Sequence, residues 1–144
     1  MTSRSIVALV LTLACSPVLS NRVAAAEDLT GTWLPTAAEL GGVKYPDEVR
    51  RTITLVIKDG QYTVSVGTLV DQGLMKLNDA STPKEMDVTG TDGPNKGRTI
   101  HAIYEHTGDT LRICYDLSGD GRPKQFKTEP TSQFFLVTYE RKKF

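Results

Sequence analysis

"TITLVIKDGQYTVSVG", residues 52–67, consists of two alternating runs joined by Asp-Gly. Ile53, Leu55 and Ile57 share one parity, with Thr52, Thr54 and Lys58 on the other. Beyond Asp59 and Gly60 the alternation resumes, with Tyr62, Val64 and Val66 against Thr63 and Ser65. Successive side chains on a strand point to opposite faces, so each run buries one face and wets the other. Asp-Gly between two such runs marks a hairpin, because both residues tolerate positive φ.

Outward from this hairpin the pattern repeats. Turn signals follow at "ND" (78–79), "DGPNKG" (92–97), "TGD" (107–109), "SGDG" (118–121) and "EPTS" (129–132). In "TLRICYD" Leu111, Ile113 and Tyr115 oppose Arg112 and Cys114. In "FFLVTYER" Phe135, Val137 and Tyr139 oppose Leu136, Thr138 and Glu140. Strands are expected over 30–36, 52–58, 61–67, 72–77, 85–90, 99–106, 109–116 and 133–141. A ninth, 123–128, is weakened by its opening Pro123. No long amphipathic helix competes. "YPDEVRR" (45–51) suits one or two helical turns, with Pro46 at the first helical position and Asp47 and Glu48 at the positive end.

Eight short antiparallel strands must close into a barrel or fold into a sandwich, because open edges invite aggregation. An immunoglobulin-type sandwich wants a mid-chain Trp packed on a disulfide. Here the one Trp, Trp33, lies on the first strand, and Cys114 is the single cysteine after residue 26. Sequential hairpins favour an all-β, up-and-down antiparallel β-barrel of about eight strands.

The N-terminus reads as a signal peptide over residues 1–26. Arg4 is the positive start. "SIVALVLTLAC" (5–15) is an apolar stretch of about 10 residues, short of the ~20 that span a bilayer. Ala24 and Ala26 are the small residues of a cleavage site after Ala26. Lipidation at Cys15 fits poorly, since a lipobox wants an aliphatic residue where Thr12 stands. Cleavage removes Arg4 and Arg22 and no acid, leaving 15 basic and 17 acidic residues and a net charge of −2. So balanced a chain offers no basic face for nucleic acid. The expected domain is 27–144, exported to the periplasm or beyond, with no integral membrane span in the mature chain. At this length it buries roughly 65% of its unfolded surface and needs no disulfide.

"LTGTWLP" (29–35) and "TYERKK" (138–143) frame the domain. Gly31-Thr32-Trp33 at the start of the first strand resembles the G-x-W signature of lipocalins and related calycin barrels. The resemblance implies that Trp33 plugs one end of the barrel and that a late basic residue packs across its ring. Arg141 fits that role and shares the parity of Phe135, Val137 and Tyr139. A longer resemblance rests on "LTGTWLPTAAELGGVKYPDEVRRTITLVIKDGQYTV" (29–64), "GPNKGRTIHAIYEHTGDTLRICY" (93–115) and "RPKQFKT" (122–128). These stretches resemble the small lipocalin-like domain of unknown function found in planctomycetes. That resemblance implies export and a calycin-like barrel, and no activity.

Several constellations point elsewhere and are read as ordinary structure. "DLSGDGRPKQFK" (116–127) starts like a calcium loop, with Asp116, Ser118 and Asp120 at alternate positions. Lys127 stands where a bidentate Glu belongs, and no helices are expected to flank it. "GPNKGRT" (93–99) has three residues between its glycines where a phosphate loop has four, and Arg98 follows. His101 and His106 have opposite parity and cannot share a metal. Glu105 and Arg112 are expected to form a solvated cross-strand ion pair. A hairpin tipped at Thr107-Gly108 would set His101 opposite Cys114, the one pairing here that suggests a nucleophile. No third orienting group is specified, and most lone cysteines are inert small hydrophobes. No catalytic residue, metal or cofactor is therefore expected, and the domain reads as non-enzymatic.

Tyr62, Val64, Tyr104, Ile113, Tyr115, Phe135 and Tyr139 are the expected inner lining, and hence the expected ligand contacts. The leading functional reading is an exported module that holds a small apolar molecule, with tyrosine hydroxyls as polar anchors. The alternative is an envelope protein-interaction or structural domain with a filled core. The third is an enzyme built on Cys114. A contiguous cavity above about 300 Å³ would favour the first over the second.

Overall fold

The first strand, β1 (Gly31–Leu40), carries Trp33 inward and runs four residues past its expected end. A computed structural model describes residues 27–143. The expected signal peptide, with Cys15 and Ala26, lies outside the described residues. After β1 come a two-residue strand β2 (Val43–Lys44) and a single helical turn α1 (Asp47–Arg50). Then follow β3 (Ile53–Lys58), β4 (Gln61–Val66), β5 (Leu69–Asn78), β6 (Lys84–Asp92), β7 (Thr99–Thr107), β8 (Thr110–Asp116) and β9 (Phe134–Arg141). Pro46 caps α1 from outside and is not its first residue.

Each strand from β3 onward pairs antiparallel with the next, β1 pairs with β3, and β9 returns to pair with β1. That last ladder closes an eight-stranded up-and-down barrel, with β2 as a spur on the end of β1. Closure removes the open edges that so many short strands would otherwise present. A bulge between Pro35 and Ala37 interrupts the closing ladder. An extra residue there suits a proline, which cannot donate to its neighbour.

The hairpin of residues 52–67 forms as the alternation predicts. Asp59 and Gly60 have φ of 53° and 72°, both positive as a two-residue I′ turn requires. Ile53, Leu55, Ile57 and Tyr62 are buried in the barrel. The next hairpin corrects the expected register. Its tip is Gly108-Asp109, with Gly108 at φ 59°, and Thr107 pairs with Thr110. The first central position of such a turn demands positive φ, which a β-branched threonine resists and glycine accepts.

The ninth expected strand, 123–128, is not one. Residues 117–133 instead form a strap over the outer faces of β6, β7 and β8. Arg122 donates to the carbonyls of Met86 (3.3 Å) and Ala102 (2.8 Å) and to Asp87 Oδ1 (2.6 Å). Pro123 is fully buried, and the Arg112 guanidinium stacks 4.3 Å over Phe126. Thr128 bridges Glu39 and the Gly42 amide at the far side. The strap therefore buries Ile103 and Cys114, whose parity points them out of the barrel. Among the described residues no helix is long and apolar enough to cross a membrane.

Candidate functional site

The two ends of the barrel differ. At the lower end Trp33 is fully buried, and its Nε1 donates to the Leu29 carbonyl at 2.9 Å. Arg141 pairs directly with Trp33 across the closing ladder and holds its guanidinium 4.4 Å over the indole. It also donates to the Thr30 carbonyl, tying the incoming chain across the opening. Gly31 has φ 147°, and a Cβ there would come 3.1 Å from Arg141 Nη1. The glycine thus leaves room for the arginine that covers the tryptophan. His106 meets the indole edge-on, with centroids 5.8 Å apart.

Glu27 completes this floor. Its carboxylate accepts from Lys84 Nζ (2.9 Å) and the Tyr104 hydroxyl (3.1 Å), and lies 3.2 Å from His106 Nδ1. Burial works against its ionisation. The hydrogen bonds of Lys84 and Tyr104, and the nearby positive charge, outweigh that and hold the carboxyl below its ordinary 4.5.

At the upper end the barrel is hollow. A cavity of about 220 Å³ lies among Tyr45, Ile53, Leu55, Tyr62, Val64, Val66, Asp71, Met75, Val88, Asn95, Ile100, Tyr115, Leu117, Phe135 and Tyr139. Val66 lines it and is also exposed, so the apolar lining reaches the surface. The volume is below the ~300–1,000 Å³ of drug-sized sites. It exceeds the ~150 Å³ that holds benzene in an engineered apolar cavity.

Five of the seven expected lining residues are there: Tyr62, Val64, Tyr115, Phe135 and Tyr139. Tyr104 and Ile113 are not. Both point inward and are buried, but lower down, where Tyr104 reaches Glu27 and Ile113 is packed core. Alternation fixes the face of a residue, and its height along the barrel depends on strand stagger. Ile53 and Leu55 were legible from their parity. Tyr45 enters from the segment before α1, which carries no alternation to reveal it.

Burial raises the Tyr115 and Tyr139 hydroxyls above their ordinary value, and the two interact with each other. Burial, then the charge of Asp71, does the same to Tyr62. All three hydroxyls are protonated at neutral pH, and that of Tyr62 donates to Asp71.

Asp71 is the ionisable carboxylate of the lining. It is 6% exposed and shares the inward parity of Gly73 and Met75 on β5. Tyr62 donates to its Oδ2 at 3.0 Å, and Asn95 donates Nδ2 to Oδ2 and its backbone amide to Oδ1, each at 2.9 Å. These bonds clasp the "GPNKG" turn (93–97) onto the barrel mouth. A Cβ at Gly90 would fall 2.0 Å from the Asn95 carbonyl, so glycine lets the turn seat there. An acid in inward register next to Gly73 and Met75 was the available signal. The expected strand began at residue 72, one position too late to include it.

The suggested nucleophile pair does not form. Cys114 lies opposite Ile103, and His101 lies opposite Asp87, 2.8 Å from its carboxylate. The Cys114 thiol is fully covered by the strap, and burial pushes it up to about 11. Glu105 and Arg112 do pair, at 2.8 Å across β7 and β8. "GPNKGRT" is a turn, and Asp116 holds a local turn by accepting from the Ser118 amide at 3.0 Å. A larger depression, about 320 Å³, lies along the strap between Arg122 and Phe134 and is separate from the barrel interior.

No protein-family model, curated protein or solved structure matches the chain. Fold and cavity define the class on their own terms: a closed eight-stranded antiparallel barrel, plugged below by Trp33 and hollow above.

Proposed function

We propose that this protein is an exported, non-enzymatic binding module of lipocalin-like type that holds a small, largely apolar molecule in the upper cavity. One observation carries the reading. The inner residues pack solidly around Trp33, yet above them the same barrel leaves an aromatic-walled space continuous with the surface. Close-packed interiors rarely leave voids larger than a water molecule, so a space of this size and shape asks for an occupant. At about 220 Å³ the cavity falls short of the ~300 Å³ that would favour a ligand site by volume; its aromatic, apolar wall and its opening support the reading, with an occupant of one or two rings. The resemblance to the planctomycete lipocalin-like domains, and with it export, belongs to the same proposal.

A second reading, an interaction or structural domain, draws on Leu69, Val70 and Leu74, exposed along β5. Native mass spectrometry of protein purified from its host's envelope fraction separates the two. The binding module predicts a mass excess on the order of 100–200 Da, lost on denaturation. A bare mass, with no small apolar probe bound on titration, moves the assignment to the interaction domain.

A further inference from the structure

Apart from tyrosine hydroxyls and Asn95, the cavity wall is apolar except at one charged residue. Asp71 is a buried carboxylate on the inward face of β5, and no Lys or Arg is among the residues lining the cavity. Among the described residues it makes no ion pair. Its three protein partners, the Tyr62 hydroxyl and the two nitrogens of Asn95, are neutral donors. A carboxylate offers about four acceptor positions, so one on Oδ1 stays open. Burying a charge is costly unless it is paired, and neutral donors offset only part of that cost.

An uncharged ligand offers Asp71 at most a neutral hydrogen bond, which leaves the buried charge unpaired. An anionic ligand would meet like charge at low dielectric. A monocation gains on both counts. Its N–H makes a charge-assisted hydrogen bond to the open acceptor position. Tyr115 and Phe135, stacked on each other at 6.1 Å, and Tyr139 supply the apolar wall for the ligand's body.

We infer that the ligand class is a small protonated amine on an aromatic or compact apolar body, with the ammonium on Asp71 and the body against the wall of Tyr115, Phe135 and Tyr139. The inference rests on reading the cavity as a ligand site. It competes with a purely structural Asp71, which would only fasten the "GPNKG" turn.

Three probes of matched shape decide it by calorimetric titration: phenethylamine, phenethyl alcohol and phenylacetate. The amine is expected to bind about tenfold or more tightly than the alcohol, with phenylacetate weakest. Asp71→Asn should bring the amine down to the level of the alcohol while leaving the alcohol unchanged. If Asp71→Asn does not fold, the ratio of amine to alcohol affinity in the wild-type protein carries the test. Equal binding of amine and alcohol overturns the amine assignment and leaves the cavity as a ligand site. Failure of all three probes to bind at millimolar concentration overturns both.

Discussion

Arg141 stands directly opposite Trp33 on the strand that closes the barrel, with its guanidinium 4.4 Å over the indole ring. Both residues belong to the same ladder, so the contact that plugs the floor also seals the seam between the first and last strands. Trp33→Ala should cost about 3–5 kcal/mol, as for a fully buried large aromatic. Arg141→Ala should cost about 1–2 kcal/mol through lost cation–π contact and the released Thr30 carbonyl. Residues in contact couple, so the double variant should depart from additivity by about 0.5 kcal/mol or more. Denaturant unfolding of the four proteins measures this. A Trp33→Ala cost below about 1 kcal/mol would show that the ring is not the keystone of the floor.

Glu27 makes the floor sensitive to acid. Its folded pKa lies below the ordinary 4.5, because Lys84, Tyr104 and His106 outweigh the opposing effect of burial. The unfolded state then takes up the proton first. The stability contributed by Glu27 is fully present above about pH 4.5 and is lost as pH falls through the lower folded value. Glu27→Gln should be less stable than wild type at pH 7, with the gap narrowing below about pH 4.5. Melting temperatures recorded across that range test it, and a gap that stays constant down to strong acid refutes the assignment.

Cys114 should behave as a buried hydrophobe. Its thiol is covered by the strap and pushed up to about 11, so almost none is thiolate at neutral pH. A disulfide reagent at pH 8 should leave the folded protein unmodified and label it fully in denaturant. Cys114→Ala should cost about 1 kcal/mol, and Cys114→Ser about 1–3 kcal/mol, because the serine hydroxyl needs a partner. Rapid labelling of the native thiol would mean that the strap opens.

The strap also marks where reading by alternation stops. Parity identified the inward faces of β3, β4, β8 and β9, because a half-buried strand repeats every second residue. It also put Arg141 on the face of Tyr139, and Trp33 and Gly31 supplied the rest of the floor. Ile103 and Cys114 are buried for a reason outside their own strands: an irregular segment whose course is held by Arg122 and Phe126. Nothing periodic announces such a segment. The pairing of β7 with β8 turned on a single residue, because Gly108 and not Thr107 takes the positive φ. A one-residue change there exchanges every neighbour along the hairpin, and with it the supposed contact of His101 and Cys114. Asp71 was missed because the start of β5 is mixed in character, with exposed Leu69 and Val70 obscuring the inward acid.

The cavity itself can be tested from its wall. Val64 pairs with Asp71 across β4 and β5 and lines the same space. Val64→Phe would push a ring into the void beside the carboxylate. In a filled core such an enlargement costs about 1–3 kcal/mol through strain. Where the space is empty, the ring should fit at little cost and return apolar burial, so stability should change by less than about 1 kcal/mol. A ligand site would lose its occupant at the same time, seen as the disappearance of any bound mass and of the melting shift that a ligand gives by mass action. Unchanged stability with lost binding identifies the void as the site. A variant that still carries the bound mass would place the ligand somewhere other than beside Asp71.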